Sequence, residues 1–377
     1  MDPALIVAVV ITTALIFDFT NGFHDTANAM ATSIATGALR PRTAVALSAV
    51  LNLVGAFLSV EVAKTISGGI VDDAKITPAI IFGGLVGAIM WNLVTWYIGL
   101  PSSSSHALFG GLIGAAWVAA GMDSIHFAKV FDKVVIPAVA APLVAGIVAA
   151  IATNVAYRLK RKTDPRVSHV GFKVGQVASA SMVSLAHGTN DAQKTMGIIT
   201  LALITSGSLA PGSPPPTWVI VSAALAIALG TYLGGWRITH TMGRGLTTIE
   251  PAQGFAAQTS TAAAIMASSH LGFALSTTHV ASGGIMGSGL GRDRRGVKWG
   301  MAGKMVLGWA FTLPAAGIVG AIAGKWASSG TSGVIGVAVV GIAVSVGIWI
   351  ASRREPVRPE HIVDEVAAQA ELHKVAA

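Results

Sequence analysis

A short aspartate-containing sequence occurs twice in this chain. Residues 22–29 read GFHDTANA, and residues 188–195 read GTNDAQKT, so Asp25 and Asp191 occupy the same place in the two copies. Each copy lies within a long, mainly apolar stretch, where a carboxylate costs free energy unless it is paired, protonated or bound to a cation. The two copies therefore predict a duplicated structural unit with a functional site built around the aspartates.

A second duplicated sequence is rich in serine and threonine. Residues 99–106 read GLPSSSSH, and residues 272–279 read GFALSTTH. Because the two motifs follow each other in the same order twice, the sequence predicts an internal repeat that covers most of the chain. Glycines then recur at identical spacing after the two histidines, namely Gly110, Gly111 and Gly114 in the first copy and Gly283, Gly284 and Gly287 in the second.

The composition indicates a membrane protein with many helices. Of the 377 residues, 53% are hydrophobic and only 11% are charged, whereas soluble domains carry about 25% charged residues. Too little polar sequence is present to cover a soluble core, so we expect an all-α polytopic membrane protein. The first apolar stretch follows Asp2 rather than basic residues, so we expect no cleaved signal peptide. The absence of cysteine excludes disulfides and thiolate chemistry.

The basic residues predict which side of the membrane each connection faces. The positive-inside rule places clusters of Lys and Arg in the cytoplasm, which here gives a cytoplasmic C-terminus and an external N-terminus in a bacterial-type plasma membrane. The net charge of +8 then reflects membrane orientation, and no nucleic-acid partner is expected. The basic clusters lie at 40–42, 158–166, 237–244, 292–298 and 353–358.

The same rule inverts the second repeat relative to the first. The connection after the first aspartate motif carries Arg40 and Arg42, whereas its counterpart at 206–216 carries no charge. Inverted repeats are typical of secondary transporters, which bind substrate at the interface between the repeats. We predict a first inverted repeat at 1–156, a basic cytoplasmic linker at 157–169, a second inverted repeat at 170–352 and a cytoplasmic tail at 353–377. Two hairpins are expected, from segments 77–99 and 104–121 and from segments 251–270 and 278–291.

The serine- and threonine-rich motifs suit an oxyanion. Each precedes a stretch that favours a helix, and the first turn of a helix leaves backbone N–H groups free to bind an anion. Two facing copies would surround a tetrahedral anion with neutral donors. The alternative is that these hydroxyls only cap helices or bond within them. The predicted oxyanion-binding residues are Ser102, Ser103, Ser104, Ser105, Ser276, Thr277, Thr278, Asn28, Asn190 and Lys194.

Asp25 and Asp191 are the predicted sites of a coupling proton or ion. His24 is next to Asp25 in sequence and titrates near neutral pH, so we predict that it influences proton coupling. Structural ion pairs are the alternative, either Asp191 with Lys194 one turn away or Asp25 with Lys304. Lys194 could instead contact the anion, and no metal ligands are assigned. The remaining motif histidines are expected to be hydrogen-bonded packing residues: His106 and His279.

These motifs resemble those of the inorganic phosphate transporter (PiT) family. That family carries duplicated G-x-N-D-x-x-N-type motifs and duplicated serine/threonine motifs that end in histidine, which correspond here to 22–28, 188–194, 101–106 and 274–279. The resemblance covers essentially the whole chain outside the tail. It implies a fold of about ten to twelve membrane helices with discontinuous or re-entrant segments. It further implies phosphate bound by the serine/threonine motifs, coupling through the aspartate motifs and, in many members, a homodimer.

The chain departs from the sodium-coupled members of that family. It has His24 where they usually have Asn, and Gln193 and Lys194 where they usually have a small residue and Asn. The pattern is similar to the bacterial low-affinity branch. That similarity implies proton-coupled symport of phosphate, divalent metal–phosphate complexes as further cargo, and no cofactor. Sodium coupling is the less favoured alternative, because Lys194 would replace a neutral oxygen ligand with a cation.

Three other functions remain as alternatives. A sulfate transporter could use the same hydroxyl and N–H donors, but phosphate near neutral pH keeps a proton that it can donate to a carboxylate, and sulfate does not. An intramembrane phosphohydrolase would need a nucleophile, a base and an orienting group in one place, and no motif spacing provides them. An anion channel would be identified by currents far above the turnover of a carrier.

Overall fold

The computed structural model describes residues 2–293 and 296–359, so most of the predicted tail at 353–377 lies outside the described residues. Within the described ranges the regular structure is helical, with two isolated β-bridges and no strand, which confirms the all-α prediction. The helices are α1 Pro3–Ala35, α2 Pro41–Gly55, α3 Glu61–Gly69, α4 Pro78–Ile98, α5 Ser104–Ala120, α6 Phe127–Lys160, α7 Pro165–Thr205, α8 Thr217–Leu233, α9 Trp236–Gly245, α10 Pro251–His270, α11 Thr277–Arg292, α12 Trp299–Ala327 and α13 Thr331–Ser352.

Proline and aspartate set several helix starts. Proline is favoured in the first turn, because its ring fixes φ and the N–H that it lacks would have no partner there. The Asp2 carboxylate accepts a hydrogen bond from the N–H of Ala4 at 2.7 Å, and Asp164 accepts one from the N–H of Arg166 at 2.9 Å. The helices that begin with proline are α1, α2, α4, α7 and α10.

Five helices are long and apolar enough to cross a membrane, namely α1, α4, α6, α12 and α13. The pair α8 and α9, which bends by 62° at a short break, would make a sixth span. Helix α7 has 41 residues, but its polar motif keeps it below the same hydropathy criterion. Length and composition therefore establish a multi-pass membrane protein, and the higher number of crossings implied by the motifs stays a prediction.

The two expected hairpins are present as neighbouring helices. Helix α4 packs on α5, and α10 packs on α11. Gly99 and Gly272 follow the first helix of each pair with φ of +69° and +70°, a left-handed conformation that glycine adopts without strain. The predicted linker at 157–169 is mostly helical, because α6 continues to Lys160 and α7 begins at Pro165.

Equivalent glycines make equivalent contacts in the two halves. Gly110 of α5 packs against the carbonyl oxygen of Leu313 in α12, and Gly283 of α11 packs against that of Pro142 in α6. In the same way α1 packs on α8, and α7 packs on α2. A Cβ at either glycine would overlap the backbone oxygen, so both positions require glycine for the close approach. These matching contacts are what two related units, each packed on the other, would produce.

Helices α1 and α7 run in opposite directions where the aspartate motifs meet. Asn21 of α1 lies beside Asp191 of α7, while Asp25 of α1 lies beside His187 of α7. Apolar side chains on the outer helices are exposed, which fits contact with lipid tails, whereas the motif residues are buried. Examples of exposed side chains are Leu143 at 61%, Ile322 at 65% and Ile342 at 64%.

Candidate functional site

The two serine/threonine motifs meet inside the helix bundle. Ser103 and Ser276 cap α5 and α11, because their hydroxyls accept hydrogen bonds from the N–H groups of His106 at 3.1 Å and His279 at 3.2 Å. The Ser105 hydroxyl donates to the carbonyl oxygen of Leu275 at 2.9 Å, which joins the two helix starts directly. The predicted hydroxyl residues, Ser102 to Ser105 and Ser276 to Thr278, are all buried.

The histidines that end these motifs pack against each other. The rings of His106 and His279 meet edge to face with centroids 4.7 Å apart, and His279 stacks on Trp309 at 4.2 Å. The Nδ1 atom of His279 also lies 3.3 Å from the carbonyl oxygen of Ala138. His279 is thus a hydrogen-bonded packing residue and His106 packs against it, and these contacts fix the relative position of the two helix starts.

Asp25 of the first copy lies against the serine/threonine motif of the second. The hydroxyls of Thr277 and Thr278 donate to the Asp25 carboxylate at 3.3 and 3.4 Å. The Asn28 amide donates to Thr278 at 3.0 Å and to Thr277 at 3.3 Å. The side-chain carbonyl oxygen of Asn28 has no hydrogen-bond partner among the described residues. One candidate site is thus assembled from two segments that are far apart in sequence.

His24 connects Asp25 to the other serine motif. Its Nδ1 atom lies 2.6 Å from the Asp25 carboxylate, and its Nε2 atom lies 3.1 Å from the Thr95 hydroxyl. The Ser102 hydroxyl donates to Thr95 at 2.8 Å and lies 3.4 Å from Nε2 of His24. The chain of contacts therefore runs from Asp25 through His24 to Ser102, and the imidazole is placed where a proton could pass between them.

Asp191 of the second copy has different partners. The ammonium of Lys194 lies 2.8 Å from Asp191, so this pair, one of the two alternatives from the sequence, is present. The amide of Asn21 donates to the second oxygen of Asp191 at 3.1 Å. The other alternative, an ion pair between Asp25 and Lys304, is wrong, because Lys304 is exposed while Asp25 is buried.

Asn190 is placed apart from Asn28. Its amide donates to the Ser269 hydroxyl at 2.9 Å and to the carbonyl oxygen of Phe273 at 3.2 Å. Ser269 lies at the end of α10, and Phe273 lies in the turn that begins the second serine/threonine motif. Asn190 therefore braces this turn, whereas Asn28 contacts the motif hydroxyls themselves.

His187 is a site residue that the sequence reasoning missed. Its Nε2 atom lies 3.5 Å from Asp191 and 4.0 Å from Asp25, and its Nδ1 atom lies 3.3 Å from Asn52. One ligand atom from each of Asp25, His187 and Asp191 falls within 4.8 Å of the others, so these three donors could together hold a cation. The available signal was its position one helical turn before Asp191, on the same face of α7.

The arrangement joins neutral anion donors to carboxylates. Free N–H groups at two helix starts and several hydroxyls can replace part of the hydration shell of an oxyanion. The carboxylate of Asp25 occupies the same place, so an anion can be favourable there only when a proton or cation offsets that charge. The site is therefore suited to bind an oxyanion together with a positive charge.

Comparison with known proteins agrees with this chemistry. The model of the Phosphate transporter family matches residues 21–320. A probable low-affinity inorganic phosphate transporter of Mycobacterium bovis is 54% identical over 353 residues, which cover 93% of this chain and 84% of the relative. A protein of the same name from Bacillus subtilis is 43% identical over 326 residues, which cover 86% of this chain and 98% of the relative.

A solved structure has the same fold. It is a sodium-dependent phosphate transporter, 24% identical to this chain, with a TM-score of 0.73; the match covers 86% of this chain and 99% of that one. At this identity the likeness concerns the fold alone. The family match and the bacterial relatives cover most of the sequence, the family match includes all four motifs, and these proteins are transporters rather than enzymes. This chain belongs to the phosphate transporter family.

Proposed function

We propose that this protein is a proton-coupled symporter of inorganic phosphate. The observation that carries the proposal is the contact of the Asp25 carboxylate with the hydroxyls of Thr277 and Thr278, which are the predicted phosphate donors. Two unit negative charges about 4 Å apart repel by about 4 kcal/mol at an effective dielectric constant of about 20. Phosphate would therefore load only when Asp25 is neutralised.

A proton is the cation that the surroundings favour. His24 lies 2.6 Å from Asp25 and 3.1 Å from the Thr95 hydroxyl, so its imidazole can relay a proton to the carboxylate. In the second copy, the Lys194 ammonium lies 2.8 Å from the Asp191 carboxylate, which a sodium ion at this place would need as an oxygen ligand. Sodium coupling is the alternative that this pairing disfavours.

Several finer properties are part of the same proposal. The basic clusters support a cytoplasmic C-terminus and an external N-terminus in a bacterial plasma membrane. The duplicated motifs and matching helix contacts support two inverted repeats that alternate the access to one central site. Divalent metal–phosphate complexes are included as cargo because the resemblance to the bacterial low-affinity branch implies them. A homodimer is included because the family resemblance implies one.

Phosphate is favoured over sulfate by the same carboxylate. Near neutral pH phosphate carries an O–H that can donate to the carbonyl oxygen of a protonated Asp25, whereas fully ionised sulfate has no proton to donate. A phosphohydrolase is disfavoured, because the motif hydroxyls of Ser103 and Ser276 already cap helices and the family is one of transporters.

Uptake of labelled phosphate into proteoliposomes tests the proposal. A pH gradient, a sodium gradient and a membrane potential are imposed one at a time, with excess sulfate and with magnesium in parallel arms. We expect accumulation with the inward proton gradient, no stimulation by sodium and little competition by sulfate. Accumulation that follows the sodium gradient and ignores the proton gradient would overturn the coupling, and equal competition by sulfate would overturn the selectivity.

A further inference from the structure

A third carboxyl group lies inside the bundle, outside the duplicated motifs. Asp18 belongs to α1, two helical turns before Asp25, and its side chain is completely buried at 0% exposure. Neither of its oxygens has a hydrogen-bond partner among the residues that the structure describes. An ionised carboxylate in that state would lose its hydration without compensation, at a cost of several kcal/mol.

The groups around Asp18 come from its own helix and from α7. Asn21 lies on the same helix, and Thr195 of α7 is a hydroxyl group that acts on Asp18; the Thr195 oxygen also lacks a hydrogen-bond partner among the described residues. A protonated Asp18 could donate its hydrogen to this oxygen, which would give both buried groups a partner. The Thr195 hydroxyl could also donate to an ionised Asp18, so the surrounding charges decide which form is favoured.

The charges that face Asp18 favour the protonated form. Helix α7 provides the negative Asp191 and the positive Lys194, and both act on Asp18. The ammonium is already paired with Asp191 at 2.8 Å, so it compensates one carboxylate and leaves the second without a counter-ion. Two buried carboxylates around one ammonium retain one net negative charge, which a single bound proton removes.

The other neighbours of Asp18 add no counter-ion. On α1 itself, His24 is paired with Asp25, and on α7 the ring of His187 lies between Asp25 and Asp191. Helix α8, which packs closely on α1, offers only Tyr232 as a titratable group, and that side chain is exposed. None of these described neighbours compensates Asp18, so a bound proton is the simplest way to neutralise it.

We infer that Asp18 is a proton-binding group of the transport cycle, which takes up one proton from one side of the membrane and releases it to the other. This inference rests on the proposed proton-coupled transport. The step is the reversible protonation of the Asp18 carboxylate, and Lys194 stays on Asp191 throughout. The corresponding place in the second copy is Ser184, which bonds to Ser48 at 3.0 Å, so the group is present in one half only.

The test compares net transport with exchange in proteoliposomes that hold the wild type, Asp18→Asn or Asp18→Glu. Exchange of labelled for unlabelled phosphate at equal pH requires no net proton movement. Accumulation driven by a pH gradient does require net proton movement, because one pH unit supplies about tenfold accumulation for each coupled proton. We expect Asp18→Asn to retain the exchange. Its phosphate accumulation ratio should fall about tenfold for each unit of the imposed pH gradient. Asp18→Glu should retain both.

A matched control removes a carboxylate elsewhere. Asp123→Asn makes the same chemical change at an exposed surface position, and it should behave like the wild type. An Asp18→Asn variant with undiminished accumulation would overturn the inference, and so would one that folds but loses exchange together with accumulation. If the wild type itself ignored the pH gradient, the proposed function would fail instead, so the two failures are distinguishable.

A measurement on the wild type covers the case in which the variants do not fold. Dicyclohexylcarbodiimide adds to protonated carboxyl groups in apolar surroundings, and mass spectrometry of the digested protein locates the adduct. We expect modification of Asp18 that declines as the pH rises, with no modification of Asp123. An Asp18 that stays unmodified across the same pH range, while other buried carboxyls react, would contradict the assignment.

Discussion

The side-chain amide of Asn28 donates a hydrogen bond to the Thr278 hydroxyl at 3.0 Å, across 250 residues of chain. This bond joins the aspartate motif of the first copy to the serine/threonine motif of the second. The candidate phosphate site therefore exists only when both halves of the chain are folded together, and its geometry depends on contacts between α1 and α11.

Replacing Asn28 with alanine should weaken phosphate recognition. The variant leaves the hydroxyls of Thr277 and Thr278 without their donor, and a lost buried hydrogen bond costs about 1–3 kcal/mol. We expect the KM for phosphate uptake to rise about tenfold or more. Asn154→Ala is the matched control, because Asn154 is exposed and accepts a hydrogen bond from the neighbouring Arg158. An unchanged KM would show that this bond does not shape the site.

Replacing Lys194 with asparagine should change the response to sodium. The variant removes the ammonium from Asp191 and leaves a buried carboxylate that a cation can occupy. We expect weaker proton-driven uptake and the appearance of stimulation by sodium. The measurement is phosphate uptake with and without a sodium gradient, and Lys129→Asn, at an exposed position, is the control. Loss of all uptake with no response to sodium would contradict the idea that Lys194 excludes that ion.

Adding a methyl group at Gly110 or Gly283 should destabilise the bundle. Each Cβ would overlap a backbone carbonyl oxygen of the facing helix, and overpacking typically costs about 1–3 kcal/mol. We expect a lower temperature of thermal unfolding in detergent for Gly110→Ala and Gly283→Ala. Gly171→Ala, where an added Cβ meets no atom within 4 Å, should be neutral or stabilising. Equal behaviour of all three variants would refute the close packing.

Stability should depend on Glu250 in a pH-dependent way. Partial burial raises the pKa of this carboxyl, but hydrogen bonds from Lys160 and Tyr157 and the charge of Arg292 outweigh it and leave the pKa below its usual value. The stabilisation is therefore present above the unfolded pKa of about 4.3 and is lost as the pH falls through the folded pKa. Glu250→Gln should lower the unfolding temperature at neutral pH, and the difference from the wild type should shrink in acid. A difference that grows in acid would contradict this sign.

The sequence predicted the helical membrane fold and identified the motifs that meet at the candidate site, because duplicated polar residues in apolar stretches are conspicuous. The pairing of Asp191 with Lys194 followed from their spacing of one helical turn. The contact of Asp25 with Thr277 did not, since it depends on how distant helices pack. Roles of the individual site residues stay predictions.

Asp18 and His187 were missed for a physical reason. Both lie outside the repeated motifs, and their importance comes from complete burial and from neighbours on another helix. A helical-face argument would have found them, since His187 lies one turn before Asp191 and Asp18 lies two turns before Asp25. The wrong pairing of Asp25 with Lys304 has the same origin, because sequence position does not reveal that Lys304 faces outward.

The central claim is that Asp25 must be neutralised by a proton before phosphate occupies the hydroxyl site. The direct measurement records phosphate uptake and proton uptake in the same proteoliposomes, with the membrane potential held at zero and a pH gradient imposed. We predict that the wild type moves both together and that Asp25→Asn takes up phosphate with about tenfold less accumulation per pH unit, because one coupled proton is lost. Phosphate accumulation without proton movement, or an Asp25→Asn variant that still accumulates phosphate as the wild type does, would contradict the account.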